Sequence, residues 1–415
     1  MIRWRGLVLA VMFAVVPQPV LAFDVETSAR AAYWSSSRNL NDERNLTPLQ
    51  AWGRAGATFA LGGAAVGFHG EGWIEYLPRG TPRRVDGRDR EAYAQLGTGP
   101  FEFRAGWQIF PWGRADAINP TDNLSPRQYT LLTRDMDDQR FGIPAVRATW
   151  FEGPLAVNAI WLAGFQPSVL PWPAGAPAVQ DLKPRQPTGQ AALRVELVRD
   201  ALEGSLSYFD GYDVLPTQAA LAAALAPGGA PRVLLFHDRL KVAGGDIARP
   251  VGRFVLRSEV AYMVPPAARG DAIFAKQRQV YAVAGGDRTF GEYFNVNLQL
   301  YWRHVEGQAV PPDLPAPEQA IARVFALSAQ QFDRNDRGIT FRISDQWYNE
   351  TLEAEVAGLF SVLRSSYVIR PLVKYRVTDE WTASVGGEVL GGDGRSLYGF
   401  LRDDTTAYLE MRRGF

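Results

Sequence analysis

The chain contains no cysteine, which removes disulfides as a framework and thiolates as nucleophiles or metal ligands. Histidine is nearly absent too: His69, His237 and His304 are all there is. Lysine is scarce, four residues against 40 arginines. A GC-rich coding sequence is the plain cause of that ratio; the functional cause is two-point recognition of carboxylate or phosphate by a planar guanidinium. Net charge is also lacking: the formal total is zero. That balance argues against nucleic acid as a partner.

Long apolar runs are missing beyond residue 22, where none approaches the ~18 residues of a membrane helix. Helical membrane proteins are thereby excluded. The one apolar stretch of note, residues 7–16, follows a start made basic by Arg3 and Arg5 and leads to "VLA" ending at Ala22. This predicts a signal peptide over residues 1–22, too short and too soon broken by Pro17 to span a bilayer. No cysteine follows it, so no lipid anchor is expected.

What the chain does have is aromatics, with 12 Trp, 15 Tyr and 22 Phe, and short alternating segments. "FEFRAGWQIF" places Phe101, Phe103, Ala105, Trp107 and Ile109 on one face and Glu102, Arg104, Gly106 and Gln108 on the other. "FNVNLQLYWR" and "ITFRISDQW" repeat the pattern around Leu298, Leu300 and Trp302, and around Ile339, Phe341 and Ile343. Period-2 runs about ten residues long are the length of tilted transmembrane strands.

Short connections at 61–63, 98–100, 152–154, 199–201, 250–252, 290–292, 349–351 and 378–381 alternate with longer polar ones. The long ones fall at about 38–48, 78–89, 111–143, 165–187, 212–238, 265–274, 305–337 and 393–404, with one tight exception at Ser365–Ser366. The expected fold is therefore an all-β, antiparallel up-and-down transmembrane barrel over residues 23–415. It should have about 18 strands, with 16 as the fallback. A soluble propeller is disfavoured because no repeat of 40–50 residues recurs. The first strand is expected at about Val25, which leaves no place for an N-terminal plug domain.

Two aromatic belts are expected. Trp73, Tyr76, Phe110, Trp112, Trp161 and Trp302 would lie at the long-loop rim, and Phe290, Tyr293, Trp347, Trp381 and Phe415 at the other. The chain closes on "AYLEMRRGF", with Ala407, Leu409, Met411 and Phe415 on the lipid face and Arg413 interrupting it. Phe415 at the end of a closing strand resembles the C-terminal aromatic signal of outer-membrane barrels, which makes it the expected assembly signal for barrel assembly machinery; outer-membrane lipids are the other expected partner. Pro371 lacks a ladder donor, so its strand should be weak or bulged there.

A barrel of this width has a lumen too wide for wall side chains to fill. The lumen face should carry both signs of charge, with Glu102, Arg104, Arg257, Glu259, Arg303, Arg342, Arg370 and Lys374 as wall candidates. Segment 111–143 joins the fifth and sixth strands as the third long loop. It holds Arg114, Asp116, Asp122, Arg127, Arg134, Asp135, Asp137, Asp138 and Arg140, with turn-forming Asn119–Pro120 and Ser125–Pro126. By resemblance to general porins, whose third loop folds inward, this loop is the candidate pore constriction; polar backbone at membrane depth is tolerated only against protein or water. An ordinary outward loop is the competing reading.

"WGRADAINPTDNLSPRQYTLL…DDQRFG", with "VLRSEVAY" at 255–262, resembles a largely uncharacterised family of porin-like outer-membrane barrels from Gram-negative bacteria. That family is distantly similar to general porins and to alginate-export barrels. The resemblance implies an outer-membrane location and transport, without naming a substrate. In general porins the third loop folds inward and narrows the channel.

Enzyme chemistry finds little support. No histidine lies two residues before a serine, as phospholipase barrels require, and isolated histidines on a barrel read as solvated. "RDMDDQR" lacks the spacing of a calcium loop, and its arginines would repel the ion. No cofactor or metal is expected. Two transport readings remain: a channel for small or moderately apolar solutes, and an export conduit for a polysaccharide or lipid working with a periplasmic partner.

Overall fold

Alternation decides the architecture, because a strand with one apolar and one polar face can satisfy lipid and water at once only in a closed sheet. In the computed structural model, residues 20–38, 43–78, 84–172, 178–222 and 232–415 are described. The sheet begins with β1 (Val20–Ser36), β2 (Leu49–Leu61), β3 (Ala64–Leu77), β4 (Arg84–Thr98), β5 (Phe101–Gln108) and β6 (Ile143–Glu152). It continues through β7 (Leu155–Leu162), β8 (Gln190–Arg199), β9 (Leu202–Tyr212), β10 (Arg239–Val251), β11 (Phe254–Val264) and β12 (Gln279–Phe290). The last six are β13 (Phe294–Val305), β14 (Asn335–Trp347), β15 (Leu352–Ser361), β16 (Ser366–Arg376), β17 (Trp381–Gly391) and β18 (Thr406–Gly414). Each pairs antiparallel with the next, and β18 pairs with β1 from Ser28 opposite Gly414 to Trp34 opposite Tyr408. The barrel is closed at eighteen strands.

The faces fall as the alternation requires. Phe101, Phe103, Trp107, Leu298, Leu300 and Trp302 are exposed on the outside, while Gln299, Arg303, Glu259 and Glu410 are buried inside. All eight predicted short turns lie between successive strands.

Several local expectations are corrected. Residues 1–19 of the expected signal peptide lie outside the described residues, and Val20–Ala22 already pair with β2 opposite Phe59 and Thr58. The first strand thus starts five residues before Val25, because β2 is long enough to offer partners. Trp73, Phe110 and Trp112 are not belt residues but are buried in the interior. Trp73 shares its parity with Glu71 and Glu75, so it points inward beside Trp52. Tyr76, Trp161, Trp302, Phe290, Trp347, Trp381 and Phe415 do face out. The long connection placed at 78–89 is shorter, since β4 begins at Arg84. A register shift between Glu71 and Gly72 makes Arg90 an extra residue there. At Pro371 the ladder to β17 skips Arg370 and Pro371, yet Ile369 opposite Val389 and Leu372 opposite Gly386 keep one register. The ladder on this side is weakened at the proline without a bulge, while the β15 side pairs throughout.

The longer connections build a second small body. Val179–Leu182, Gln218–Ala222, Arg232–Phe236 and Ala272–Ala275 form a four-stranded sheet. Helix α1 (Ala316–Ser328) packs on it through Ala322, Phe325 and Ala326 against Phe274 and Ala219. These segments come from the connections after β7, β9, β11 and β13, so this cap stands on one side of the long-loop rim. Strands of four or five residues in loops carry too little periodicity to be read from sequence.

Candidate functional site

Segment 109–142 leaves the end of β5 where Glu91 accepts the Ile109 amide at 2.7 Å. Phe110, Trp112 and Leu124 then pack against inward apolar residues of the neighbouring wall, including Ile143, Ile160, Leu162, Phe209, Leu240 and Val242. At lumen depth an apolar wall patch covered by an apolar loop is a dry core, and it holds this part of the segment in place.

The next contact is made by one carboxylate. Glu259 of β11 accepts the amides of Thr121 at 2.7 Å and Arg114 at 3.2 Å, and the Thr121 hydroxyl at 2.8 Å. Gly113 has φ +98°, and a Cβ there would stand 2.6 Å from Glu259 Oε2. Only glycine permits this approach. Arg114 donates from Nη1 to Asp246 Oδ1 at 3.1 Å, and Asp116 accepts from Arg342 Nη2 at 2.6 Å. The loop has by now reached β10, β11 and β14.

It then returns to a second region of wall. Arg30 donates to Asp138 Oδ2 at 2.5 Å, Arg38 to the Leu131 carbonyl at 2.8 Å and Gln50 to the Leu132 carbonyl at 2.9 Å. Arg134 donates to Ser384 Oγ and lies 3.5 Å from Glu410 Oε1. Leu131 packs with Trp52 and Trp73, and Leu132 with Trp34 and Tyr408. Arg90 closes the circuit by donating to the carbonyls of Arg140 at 3.0 Å and Asp137 at 2.9 Å.

The nine predicted loop residues therefore divide. Arg114, Asp116, Arg134 and Asp138 reach the wall. Asp122, Arg127, Arg140, Asp137 and Asp135 bind mainly within the loop: Asp122 accepts from Arg127 at 3.1 Å and from Arg140, and Asp137 accepts from Arg140 at 3.0 Å. Burial alone would lower the Arg140 guanidinium, but Asp122 and Asp137 outweigh it and raise it. Arg134 is likewise lowered by burial and raised on balance by Asp135 and Glu410. Both stay cationic.

The wall candidates divide too. Glu259 and Arg303 lie buried. Arg104 and Arg147 share Glu102 at 2.9 and 2.7 Å, and Arg257 pairs with Asp287. Arg370 binds Glu388 at 2.8 Å and Lys374 binds Glu353 at 2.9 Å. Sequence reading missed Asp246, Glu410, Arg88 and Arg90. Asp246 follows Gly244–Gly245, which hide the alternation, though Ile247 outside it implies an inward side chain. Arg88 falls within the connection expected at 78–89, because the start of β4 lacks an apolar face, and Arg90 lies just beyond it at the register shift.

His237 is buried, not solvated, with Nδ1 2.9 Å from the Asp213 carbonyl and Nε2 3.3 Å from Asp181. Ligand-type atoms of His69, Glu71 and Glu91 lie within 4.8 Å of one another. Arg90 already engages Glu71, and the Ile109 amide engages Glu91.

No family model and no curated protein matches the chain. Solved structures do. OccAB1 of Acinetobacter baumannii aligns with a TM-score of 0.58 at 11% identity, covering 95% of this chain and 97% of that one. OccD3 (OpdP) of Pseudomonas aeruginosa aligns at 0.57 and 10%, covering 97% and 93%. This chain has the outer-membrane porin fold. Another structure with this fold, OccK2 (OpdF) of Pseudomonas aeruginosa in complex with glucuronate, aligns at 0.57 and 12%, covering 95% and 98%. At such identities the likeness is one of fold.

Proposed function

We propose that the protein is a passive outer-membrane channel for small polar solutes, and that segment 109–142 is its constriction. The observation that carries this reading is the pair of wall attachments, at Glu259–Asp246–Arg342 and at Arg30–Ser384–Glu410. A loop tied to separate parts of the wall narrows the lumen between them. Charge placed at such a narrow aqueous gap acts strongly on permeating ions. The apolar lumen residues are covered by the loop, so the part of the reading that admits moderately apolar solutes loses support. A polymer conduit would need the cross-section that the loop occupies. Glucuronate, bound by one of the neighbours, is a natural first test solute.

Shortening residues 113–139 to a brief linker should raise single-channel conductance in planar bilayers several-fold. The barrel should still show heat-modifiable migration, because its ladder is untouched. Unchanged conductance in a folded variant overturns the constriction, and no conductance from the unaltered protein overturns the channel.

A further inference from the structure

We infer that the conducting path is off-centre and runs along the inner wall of β14–β16. This rests on the channel reading above and locates the path within it. The loop meets the wall at β14 through Asp116 and next at β17 and β18 through Arg134. Among the described residues, no hydrogen bond or ion pair joins it to β15 or β16.

Exposure supports the same sector. Arg342 and Arg370 keep 41% and 35% of their side-chain surface accessible, against 1% for Asp246, 3% for Arg303 and 27% for Arg104 and Arg257; Arg54, at 43%, lies nearer the short-turn rim. Arg342, Ala357 and Arg370 stand in one cross-strand row. The alanine between two long side chains leaves that row open at its middle. Asn297, next in the row on β13, is buried. At the rim the cap rises from the connections after β7, β9, β11 and β13, while β15 and β16 are joined by residues 362–365 and meet the short helix Leu397–Phe400 of the last connection, whose Tyr398 amide donates to Ser366 Oγ at 3.3 Å.

The slot carries the cations Arg342, Arg370 and Lys374 and the carboxylates Asp116, Glu353 and Glu355, with Glu388 behind Arg370 and shared between it and Arg38. Lys374 pairs with Glu353 at 2.9 Å, and Arg342 lies between Asp116 at 2.6 Å and Glu355 at 4.0 Å. Balanced charge of both signs suits small solutes that are dipolar or carry separated charges, and it opposes strong selection of one ion sign.

The absence of cysteine makes the test direct, since any introduced thiol is unique. Ala357→Cys and Glu355→Cys probe the slot; Ala192→Cys and Ser205→Cys probe the wall beneath the loop. Each folded barrel is treated with a cationic methanethiosulfonate reagent, followed by intact mass and by bilayer conductance. Expected are near-complete labelling and at least a twofold fall in conductance for the slot pair, with little labelling of the other pair. Labelling and block at Ala192→Cys or Ser205→Cys, with protection of the slot pair, overturns the inference. If the protein conducts nothing, the channel reading falls, and the labelling pattern still decides where the lumen is open.

Discussion

On β6 to β11 the inward positions near the long-loop rim are Ile143, Ile160, Leu162, Phe209, Leu240 and Val242, and the loop covers them with Phe110, Trp112 and Leu124. On β14 to β16 the inward positions include Arg342, Glu353, Glu355, Arg370 and Lys374, which remain partly exposed. Both regions are built from the same alternating strands on the same barrel. They differ in what the inward face can hold. An apolar inner face excludes water and binds a loop; a charged one must keep its water unless every charge is paired. Near the rim the apolar wall of β6 to β10 thus holds the loop by packing, and deeper on β10 and β11 Asp246 and Glu259 hold it by ion pairing and hydrogen bonds.

That contrast can be strained most strongly at Asp246, buried and shared by Arg114, Arg194 and the Ser205 hydroxyl. Removing it in Asp246→Ala leaves two guanidiniums without their shared carboxylate. The cost should be about 3–5 kcal/mol, as for breaking a buried pair. A lowered unfolding midpoint in denaturant, with noisier and larger channel openings, is the expected result. A midpoint within error of the parent would mean that this region is not the packed half.

An intermediate effect is expected from replacing Arg114, Arg127 and Arg140 together by Ala. Asp122 and Asp137 then lose their cations, Asp246 keeps only Arg194 as its cation, and the reversal potential in a salt gradient should move towards cations. In ~1 M salt the shift should persist, since screening within about 3 Å suppresses surface charge more than charge at a narrow gap. A shift abolished by that salt would place these residues on an outward surface.

The smallest effect belongs to the open half. Lys374→Ala breaks a partly exposed pair with Glu353, and such pairs contribute under about 1 kcal/mol. The unfolding midpoint should barely move, while the permeability ratio shifts slightly towards cations. A destabilisation as large as that of Asp246→Ala would erase the distinction between the halves.

Period-2 alternation, with short turns at one rim and long connections at the other, was enough to indicate about eighteen antiparallel strands and to sort most inward from outward residues. Both properties are local: a strand's faces follow from parity, and a tight turn from two or three residues. Even Trp73 was legible, since its parity matches Glu71 and Glu75. The sequence also marked 111–143 as chemically distinct. Which of its charges meet the wall, and which bind one another, was decided by tertiary structure, because Glu259, Asp246 and Arg30 lie more than 80 residues away in the chain from Thr121, Arg114 and Asp138. The same holds for the cap, whose strands of four or five residues gain stability only by pairing with one another. Closure brings distant wall residues together, and that proximity has no periodic trace in the chain.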